Sequence, residues 1–415
     1  MSEIRVLSTE DFDAFIDITV NAYPGMKVVS EEKKEHYKQR MLKVHGEDPT
    51  VLFYGLFREG RLLGGMRLHD FTMNFLGTRV AAGGVGAVAV DLVRKKEHVA
   101  KEMMEYFIDH YRERGVPLLL LYPFRPDFYK KMGFGYGTKM NRYHVRPSSL
   151  PKGPSKAHVR YLDESDKQAL LDCYTRVMNK THGMIEKSLG ELERLMTRPG
   201  SQIVGCEIDG RVLGYLVFSF THGEEWLLND VYVREFIYGS QEALSELLTF
   251  LHAQADQIRH VVFDTQDEYF HYLPLDPRNA SASLLWEVYH ESNVQGVGIM
   301  YRVIDAPGMF DLLKERDFGG QTCRLKLTIE DSFLPENAGS VLLRFEDGHL
   351  QLADIEGYDV EVWMDVADFS SLLVGSVNFR SIYKCGLVGI SDPKYVGVVD
   401  KVFAVEDKPI CTTPF

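Results

Sequence analysis

Between Gly86 and Gly137 the chain carries side chains suited to gripping a polyanion and to moving a proton. A strand-like Ala87-Val88-Ala89-Val90 leads into the basic segment Arg94-Lys95-Lys96-Glu97-His98-Val99-Ala100. A helix follows, then the apolar run Leu118 to Tyr122, then Phe128-Tyr129-Lys130-Lys131-Met132-Gly133-Phe134-Gly135. The helix is predicted after Glu97 because Val99, Met103, Phe107 and Tyr111 recur at i, i+4 on one face. Arg112 and Arg114 before Gly115 suit its negative end. Its first turn offers unpaired backbone N–H groups beside Lys95, Lys96 and Lys101, a natural seat for a diphosphate. The helix dipole supplies only ~0.3–1 kcal/mol, so the lysines and several N–H bonds must do most of the holding. On charge alone, a solvated cationic helix start without function reads equally well. The cluster Gly83-Gly84-Val85-Gly86 precedes a strand where a dinucleotide fingerprint would follow one, so that fingerprint is excluded.

Two motifs in this stretch resemble those of a known family. Lys95-x-x-His98-x-Ala100 is similar to the acetyl-CoA motif Arg/Gln-x-x-Gly-x-Gly/Ala of the GNAT acetyltransferases, and Tyr129-x-x-x-Gly133-Phe134 to their Phe-Tyr-x-x-x-Gly-Phe segment. Over the whole chain the sequence resembles the Eis (enhanced intracellular survival) family of N-acetyltransferases. It does so in length, in the Val-Ala-Val strand, in the Tyr/Gly-aromatic-Gly turn and in ending on Phe415. Lys95 stands for the usual Arg or Gln, and His98 for a Gly that lets the backbone approach the pyrophosphate. A side chain at 98 is tolerable if φ stays helical.

The resemblance implies attack of an amine on the thioester of acetyl-CoA, bound by Val88, Ala89, Val90, Lys95, Lys96, Glu97, His98, Val99, Ala100 and Lys101. Phe124 and Arg125 would line the same slot. The backbone of 88–90 is expected to polarise the thioester carbonyl and to pair with the pantetheine. Tyr129, with an ordinary pKa of ~10, can donate to a leaving thiolate whose thiol has ~8.5. In the Eis family the terminal carboxylate acts as base, which points to Phe415; packing under a turn and a frayed chain end are the plain alternatives for Tyr129 and Phe415. A carboxylate near ~3.5 is a weak base for an ammonium near ~10, so a proton relay through water, or stabilisation of the cation, suits it better. Acceptors implied by the family are cationic primary amines (aminoglycosides, polyamines or lysine side chains), and the assembly implied is a homo-oligomer, commonly a hexamer.

The elements that must position these groups are duplicated. Ile4-Arg5-Val6-Leu7-Ser8-x-x-Asp11 recurs as Val159-Arg160-Tyr161-Leu162-Asp163-x-x-Asp166. Gly55, Gly60-Arg61 and Leu63-Gly64 recur as Gly205, Gly210-Arg211 and Leu213-Gly214, each set reading as a hairpin turning at Glu59-Gly60 or Asp209-Gly210. Pro147 to Pro154 reads as a linker. The second copy has Val231-Tyr232-Val233-Arg234-Glu235 where the first has its basic segment, and nothing after Val261-Val262-Phe263-Asp264 resembles the tyrosine motif. It therefore reads as a structural copy that binds no CoA.

From about Met300, short strands (Cys323–Ile329, Gly339–Phe345, His349–Ala353, Val360–Met364) alternate with turns at Glu346-Asp347-Gly348 and Glu356-Gly357. Helical patches cover Ala306–Glu315 and Val366–Val374. This part resembles the sterol-carrier-protein-like domain that closes the Eis family. The expected architecture is α/β, with tandem GNAT-like modules over 1–148 (active) and 149–300 (degenerate) and an α+β sterol-carrier-protein-like domain over 301–415.

Composition narrows the function classes. A chain of 415 residues with 45% hydrophobic and 26% charged residues is expected to form about three globular domains. No apolar run reaches the ~20 residues of a membrane span, and the N-terminus reads as no signal peptide. Five scattered cysteines without a C-x-x-C pair suit a reducing cytoplasm and argue against a zinc site. The net charge of −13 disfavours nucleic acid and acidic substrates and is compatible with cationic ones. No H-E-x-x-H, G-x-S-x-G or Walker loop is present. His182 and His271 read as surface or core residues, and Glu224-Glu225 and Asp264–Glu268 as solvated loops or a negative rim for polyamines. A non-catalytic acyl-CoA or lipid-binding protein is the alternative to an N-acetyltransferase; a protein-lysine acetyltransferase would need an open acceptor groove.

Overall fold

The computed structural model describes residues 2–222, 229–281, 283–286, 289–351 and 357–415; Glu224-Glu225, Ala353 and Glu356, named above, lie outside them. The first module contributes β1 (Ser2–Val6), α1 (Phe12–Ala22), α2 (Glu31–Glu47), β2 (Val51–Arg58), β3 (Arg61–Phe75), β4 (Thr78–Val90), α3 (Val99–Glu113), β5 (Leu118–Leu121), α4 (Pro126–Lys130) and β6 (Gly135–Tyr136). The second contributes β7 (Met140–Val145), β8 (Val159–Tyr161), α5 (Lys167–Met178), α6 (Leu189–Met196), β9 (Ser201–Ile208), β10 (Arg211–His222), β11 (Asn229–Tyr238), α7 (Gln241–His252) and β12 (Ile258–Thr265). A small hairpin of β13 (Leu284–Leu285) and β14 (Tyr289–His290) leads to β15 (Val294–Gly296) and β16 (Met300–Val303).

The duplication extends to backbone geometry. Arg5 faces Gly55 across β1–β2 as Arg160 faces Gly205 across β8–β9. Arg5 pairs with Asp11 at 2.7 Å and Arg160 with Asp166 at 2.6 Å, each acid closing a capping box at the next helix. Both hairpins turn through two left-handed residues, Glu59-Gly60 (φ 52° and 74°) and Asp209-Gly210 (φ 51° and 72°). This turn matches the twist of the flanking strands, which is why glycine recurs there.

The two sheets are tied together by exchanged strands. The first runs β1-β2-β3-β4-β5-β16-β6 and the second β15-β7-β12-β11-β10-β9-β8. In each, only the β4–β5 or β11–β12 pair is parallel. β7, inside the span expected for the first module, pairs with β12; β16, which straddles the boundary at residue 300, pairs with β5 and β6. A boundary drawn in sequence therefore cuts across hydrogen bonds that run both ways. The β3–β4 hairpin end adds a further tie, since Asn74 Nδ2 donates to the Met178 and Thr181 carbonyls at 2.7 and 3.1 Å. His182 is buried there, accepting from the Leu76 N–H at 3.1 Å and donating to the Val374 carbonyl at 2.9 Å.

The closing domain holds α8 (Ala306–Leu312), β17 (Cys323–Glu330), β18 (Gly339–Glu346), β19 (His349–Gln351), β20 (Val360–Asp365), α9 (Val366–Leu373), α10 (Phe379–Lys384), β21 (Val388–Ile390) and α11 (Val396–Val402). Its sheet runs β19-β18-β17-β20-β21. Buried apolar residues of this domain, among them Phe369 and Leu372, form one continuous core with Phe75, Leu118 and Tyr301 of the first sheet. The interior of the domain is thus packed against the first module.

One buried ion pair fixes where three segments meet. Arg302 on β16 and Asp331 just past β17 are both fully buried, with Nη2 to Oδ2 at 2.7 Å, and Arg302 also donates to the Met132 carbonyl after α4. Asp331 further accepts from the Phe333 and Leu334 N–H groups and from Asn337. Gly133 has φ of 79°, and a Cβ there would lie 1.4 Å from Arg302 Nη1, so the glycine of the tyrosine motif is required by Arg302. Breaking a buried pair by removing one partner strands the other charge, at about 3–5 kcal/mol. Arg302→Leu is expected to lower stability to chemical denaturation by that amount, and Arg302→Leu with Asp331→Leu to recover at least half.

Candidate functional site

The first module contains a wedge. β4 pairs with β5 from Ala82 opposite Leu118 to Val85 opposite Leu121, and there the strands part. Beyond that point a bulge bends β4: Gly86 faces Arg67 and Ala89 faces Gly65, so Ala87 and Val88 together oppose Met66. Ala87 takes a left-handed φ of 51°. Only Val88 of the expected carbonyl-binding residues leaves the ladder, because Ala89 and Val90 stay in register with Gly65 and Gly64. The Val88 carbonyl accepts from the Tyr23 hydroxyl at 2.6 Å, a contact not legible in the sequence because Tyr23 lies beyond α1.

The glycine run Gly83-Gly84-Val85-Gly86 lies within β4 itself. It makes room for what the wedge holds. A Cβ at Gly84 would meet Phe71 at 2.3 Å and Phe415 at 3.2 Å. One at Gly86 would lie 3.0 Å from the terminal carbon of Phe415 and 3.3 Å from Arg67 Nη2. Glycines inside a strand mark close approach of another backbone, and that is the signal the sequence carried.

The chain end reaches this point on a defined path. The Ile410 N–H donates to the His182 carbonyl at 2.8 Å, the Cys411 N–H to Gln266 Oε1 at 2.6 Å, and the Tyr122 hydroxyl to the Thr413 carbonyl at 3.3 Å. The Phe415 ring then packs against Phe71, Tyr122 and His69 at centroid distances of 4.9, 5.1 and 5.6 Å. Burial holds His69 well below its ordinary pKa, with the Arg67 and Arg194 charges adding to the effect, so its imidazole is neutral.

Ahead of α3 the loop adopts an unusual backbone. Lys96 and His98 are both left-handed, at φ of 70° and 62°, and His98 is the N-cap residue. The helical φ under which a side chain at 98 would be free of strain is not adopted. A left-handed residue turns its neighbouring N–H groups toward a common centre, and such alternation makes an anion-binding nest. Arg58 holds the loop from beneath, donating to Glu102 at 2.5 Å and to the Glu97 carbonyl at 3.2 Å. The Glu97 carboxylate lies 3.7 Å from Arg58 and 3.6 Å from Arg94, so its charge is answered by arginines. Lys101 pairs with Glu105 at 3.3 Å, whereas Lys95 and Lys96 are exposed and have no ion pair among the described residues. Val99 is buried and Ala100 half-buried at the helix start. In the second module β11 passes to α7 through Gly239 and Ser240 alone, so the loop of residues 91–98 has no counterpart.

Tyr129 on α4 is buried, edge-on to Phe124, Phe128 and Phe134 at 6.1, 5.2 and 6.2 Å. Burial pushes its pKa above the ordinary tyrosine value, and Tyr23 nearby adds to this. Two contacts hold its helix: Lys130 to Asp368 at 2.5 Å, and Arg302 to the Met132 carbonyl. Phe124 is largely exposed beside Tyr23 and Tyr129, while Arg125 pairs with Asp127 at 2.5 Å on the surface. Tyr129 and Phe415 stand at the two sides of the bulge, one neighbouring Tyr23 at Val88 and the other against Gly86, without direct contact among the described residues.

The bulged strand, the parallel neighbour it parts from and the helix between them lie in a stretch that matches a known domain family. Residues 3–137 and 183–303 each match the acetyltransferase (GNAT) domain family, and residues 310–412 the sterol carrier protein domain. An uncharacterized N-acetyltransferase of Streptomyces avermitilis is 27% identical over 235 residues, 52% of this chain and 54% of the relative. The chain spans about half the length of the curated relatives it matches. Among solved structures, a GCN5-related N-acetyltransferase from Anabaena variabilis superposes with TM-score 0.81 at 18% identity, and Eis1 from Mycobacterium abscessus with 0.73 at 17%; each comparison covers 100% of both chains. The chain is thus built of two GNAT acetyltransferase domains followed by a sterol carrier protein domain, the architecture expected from its resemblance to Eis. Among the described residues no helix is long and apolar enough to cross a membrane, and no group of three or more His, Cys, Asp or Glu could hold a metal.

A left-handed histidine costs about 1 kcal/mol that glycine does not. His98→Gly is therefore expected to raise stability to chemical denaturation by up to about 1 kcal/mol, and a loss of stability would show that the imidazole makes contacts that outweigh the strain.

Proposed function

We propose that this protein is an acetyl-CoA-dependent N-acetyltransferase of primary amines, with its catalytic site in the first module. The observation that carries this reading is the shared wedge: the nest before α3, the bulge at Ala87-Val88, Tyr129 and the chain end all surround one opening of the sheet. In this reading the N–H groups around Lys96 and His98 hold the diphosphate, with Lys95 and Lys96 adding charge. The bulge offers the backbone of Val88 to the thioester, and Tyr23 fixes that peptide through its carbonyl.

The amine attacks the thioester carbon, and the C–S bond breaks. Tyr129 is the acid that returns a proton to sulfur. Its raised pKa keeps it protonated, so the hydroxyl is available to hydrogen-bond the departing sulfur, although the phenol is a weaker acid than the thiol and transfer to a free thiolate runs uphill. The terminal carboxylate of Phe415 is the base, taking the ammonium proton directly or through water. Fold likeness to Eis1, and a packed closing domain, favour this over a carrier of acyl-CoA or lipid.

Aminoglycosides, polyamines and lysine side chains are the acceptors the resemblance suggests. A homo-oligomer, with a hexamer as the form to test for, is supported by the exposed apolar residues Leu275, Trp286 and Tyr289.

Thiol release from acetyl-CoA with a panel of amines tests the reading. Tyr129→Phe is expected to lower kcat by roughly 10²–10⁴ while the KM for acetyl-CoA stays within threefold. Because the Tyr129 pKa is raised, the acid form persists as pH rises, so wild-type kcat is expected to show no alkaline fall below about pH 10. Amine-dependent release that survives Tyr129→Phe intact would remove Tyr129 from the mechanism, and binding of acetyl-CoA without any release would favour a binding protein.

A further inference from the structure

Arg67, His69 and Phe71 alternate along β3 and so point to one face of the sheet. Phe415 lies along this row. Its ring packs on Phe71 and His69, and its carboxyl end stands at the next rung, where Arg67 faces Gly86. The glycines opposite fix that placement. A Cβ at Gly84, across from His69, would meet the Phe415 ring, and one at Gly86 would meet the terminal carbon at 3.0 Å and Arg67 Nη2 at 3.3 Å. The guanidinium and the chain end thus converge on the notch that Gly86 leaves beside the bulge.

Arg67 needs an anion, and the elements around it supply none. It makes no ion pair or side-chain hydrogen bond among the described residues, and its Nε is buried without a partner. The groups that face it are Tyr37 and Arg40 on α2, Arg194 on α6 and His69 on its own strand. Arg40 and Arg194 repel it, and Arg194 is already paired with Asp48 at 2.9 Å. Burial keeps Tyr37 protonated and His69 neutral. A guanidinium cannot shed its proton, so a desolvated one must be paired or it weighs on the fold. Among the described residues, the terminal carboxylate is the anion brought to it.

We infer that Arg67 is the positioning residue for the terminal carboxylate, holding it ionised and turned toward the bulge at Val88. This rests on the proposed role of Phe415 as base and names the group that aims it. A carboxylate set among Phe71, His69 and Tyr122 would by itself favour its protonated form, which can accept no proton from an amine. A cation beside it favours the charged form, and the planar fork of a guanidinium also fixes its direction. On its other side Phe415 faces a cavity whose charged lining carries both signs, Lys187, Arg198 and Arg234 with Glu235, Asp264 and Asp267.

A cycle of Arg67→Gln and amidation of the Phe415 carboxylate tests this. In Arg67→Gln the carboxylate protonates at higher pH. The acidic limb of its kcat–pH profile is therefore expected to move up by about one pH unit or more, with kcat at neutral pH down roughly tenfold and KM for acetyl-CoA within threefold. Arg67→Lys, which keeps the charge and loses the fork, is expected to restore the limb. Stability reads the same pairing without turnover: Arg67→Gln is expected to lower the urea midpoint of the native chain and to raise that of the amidated chain, where the guanidinium has lost its anion. Should the glutamine variant not fold, ¹³C NMR of the native chain labelled at the Phe415 carboxyl carbon decides, the expected result being an ionised group throughout about pH 4.5 to 8. An unmoved limb, equal midpoint changes in the two chains, or protonation of the labelled group within that range would overturn the inference, and the base would stand as long as amidation lowers kcat. Amidation without effect on kcat would remove the base and the role of Arg67 with it.

Discussion

Phe415 lies against β4 because Gly84 and Gly86 have no side chains to exclude it, and the arrangement of the whole molecule serves that contact. A chain end pays the full entropy of being ordered unless many groups hold it. Here the tail from Ile410 onward is bonded first to the second module, through His182 and Gln266, and then to the first, through Tyr122. The tail can make both sets of contacts only if the modules keep a fixed relation. The strand exchange supplies that relation: β7 closes the second sheet and β16 the first, so neither module completes its sheet without the other's segment.

The same logic explains why the closing domain is packed. Its α9 sits under β6 and β16, with the Val303 N–H donating to Ser370 at 2.9 Å, and Lys130 reaches Asp368. The Arg302–Asp331 pair then connects this docking surface to the turn that follows Tyr129. A domain recognised by its likeness to a lipid carrier thus acts here as the platform that holds the tyrosine on one side of the wedge and sends the tail to the other.

Much of this was legible in the residues. The i, i+4 series from Val99 to Tyr111 became α3, with those residues as its buried face, and the repeated glycines became two hairpins of one geometry. Other features were beyond a local reading. The alternation in Met140–Val145 suits an edge of either sheet, so periodicity could not say that β7 pairs with β12. The glycine run, excluded as a dinucleotide fingerprint because it precedes a strand, lies within β4, where it admits Phe71 and Phe415. A side chain at 98 was free of strain only with a helical φ, and the loop instead uses two left-handed non-glycine residues, Lys96 and His98.

The claim on which the account turns is that the terminal carboxylate works in the wedge. It is tested most directly by comparing the native chain with one whose Phe415 carboxylate is converted to the amide by ligation of a synthetic C-terminal peptide, a change that keeps the ring and removes only the charge. The account predicts at least a hundredfold loss of kcat at neutral pH, with acetyl-CoA affinity within threefold of the native value. Unaltered acetyl transfer by the amide would contradict it, leaving the tail as a structural plug and the base to be sought elsewhere in the slot.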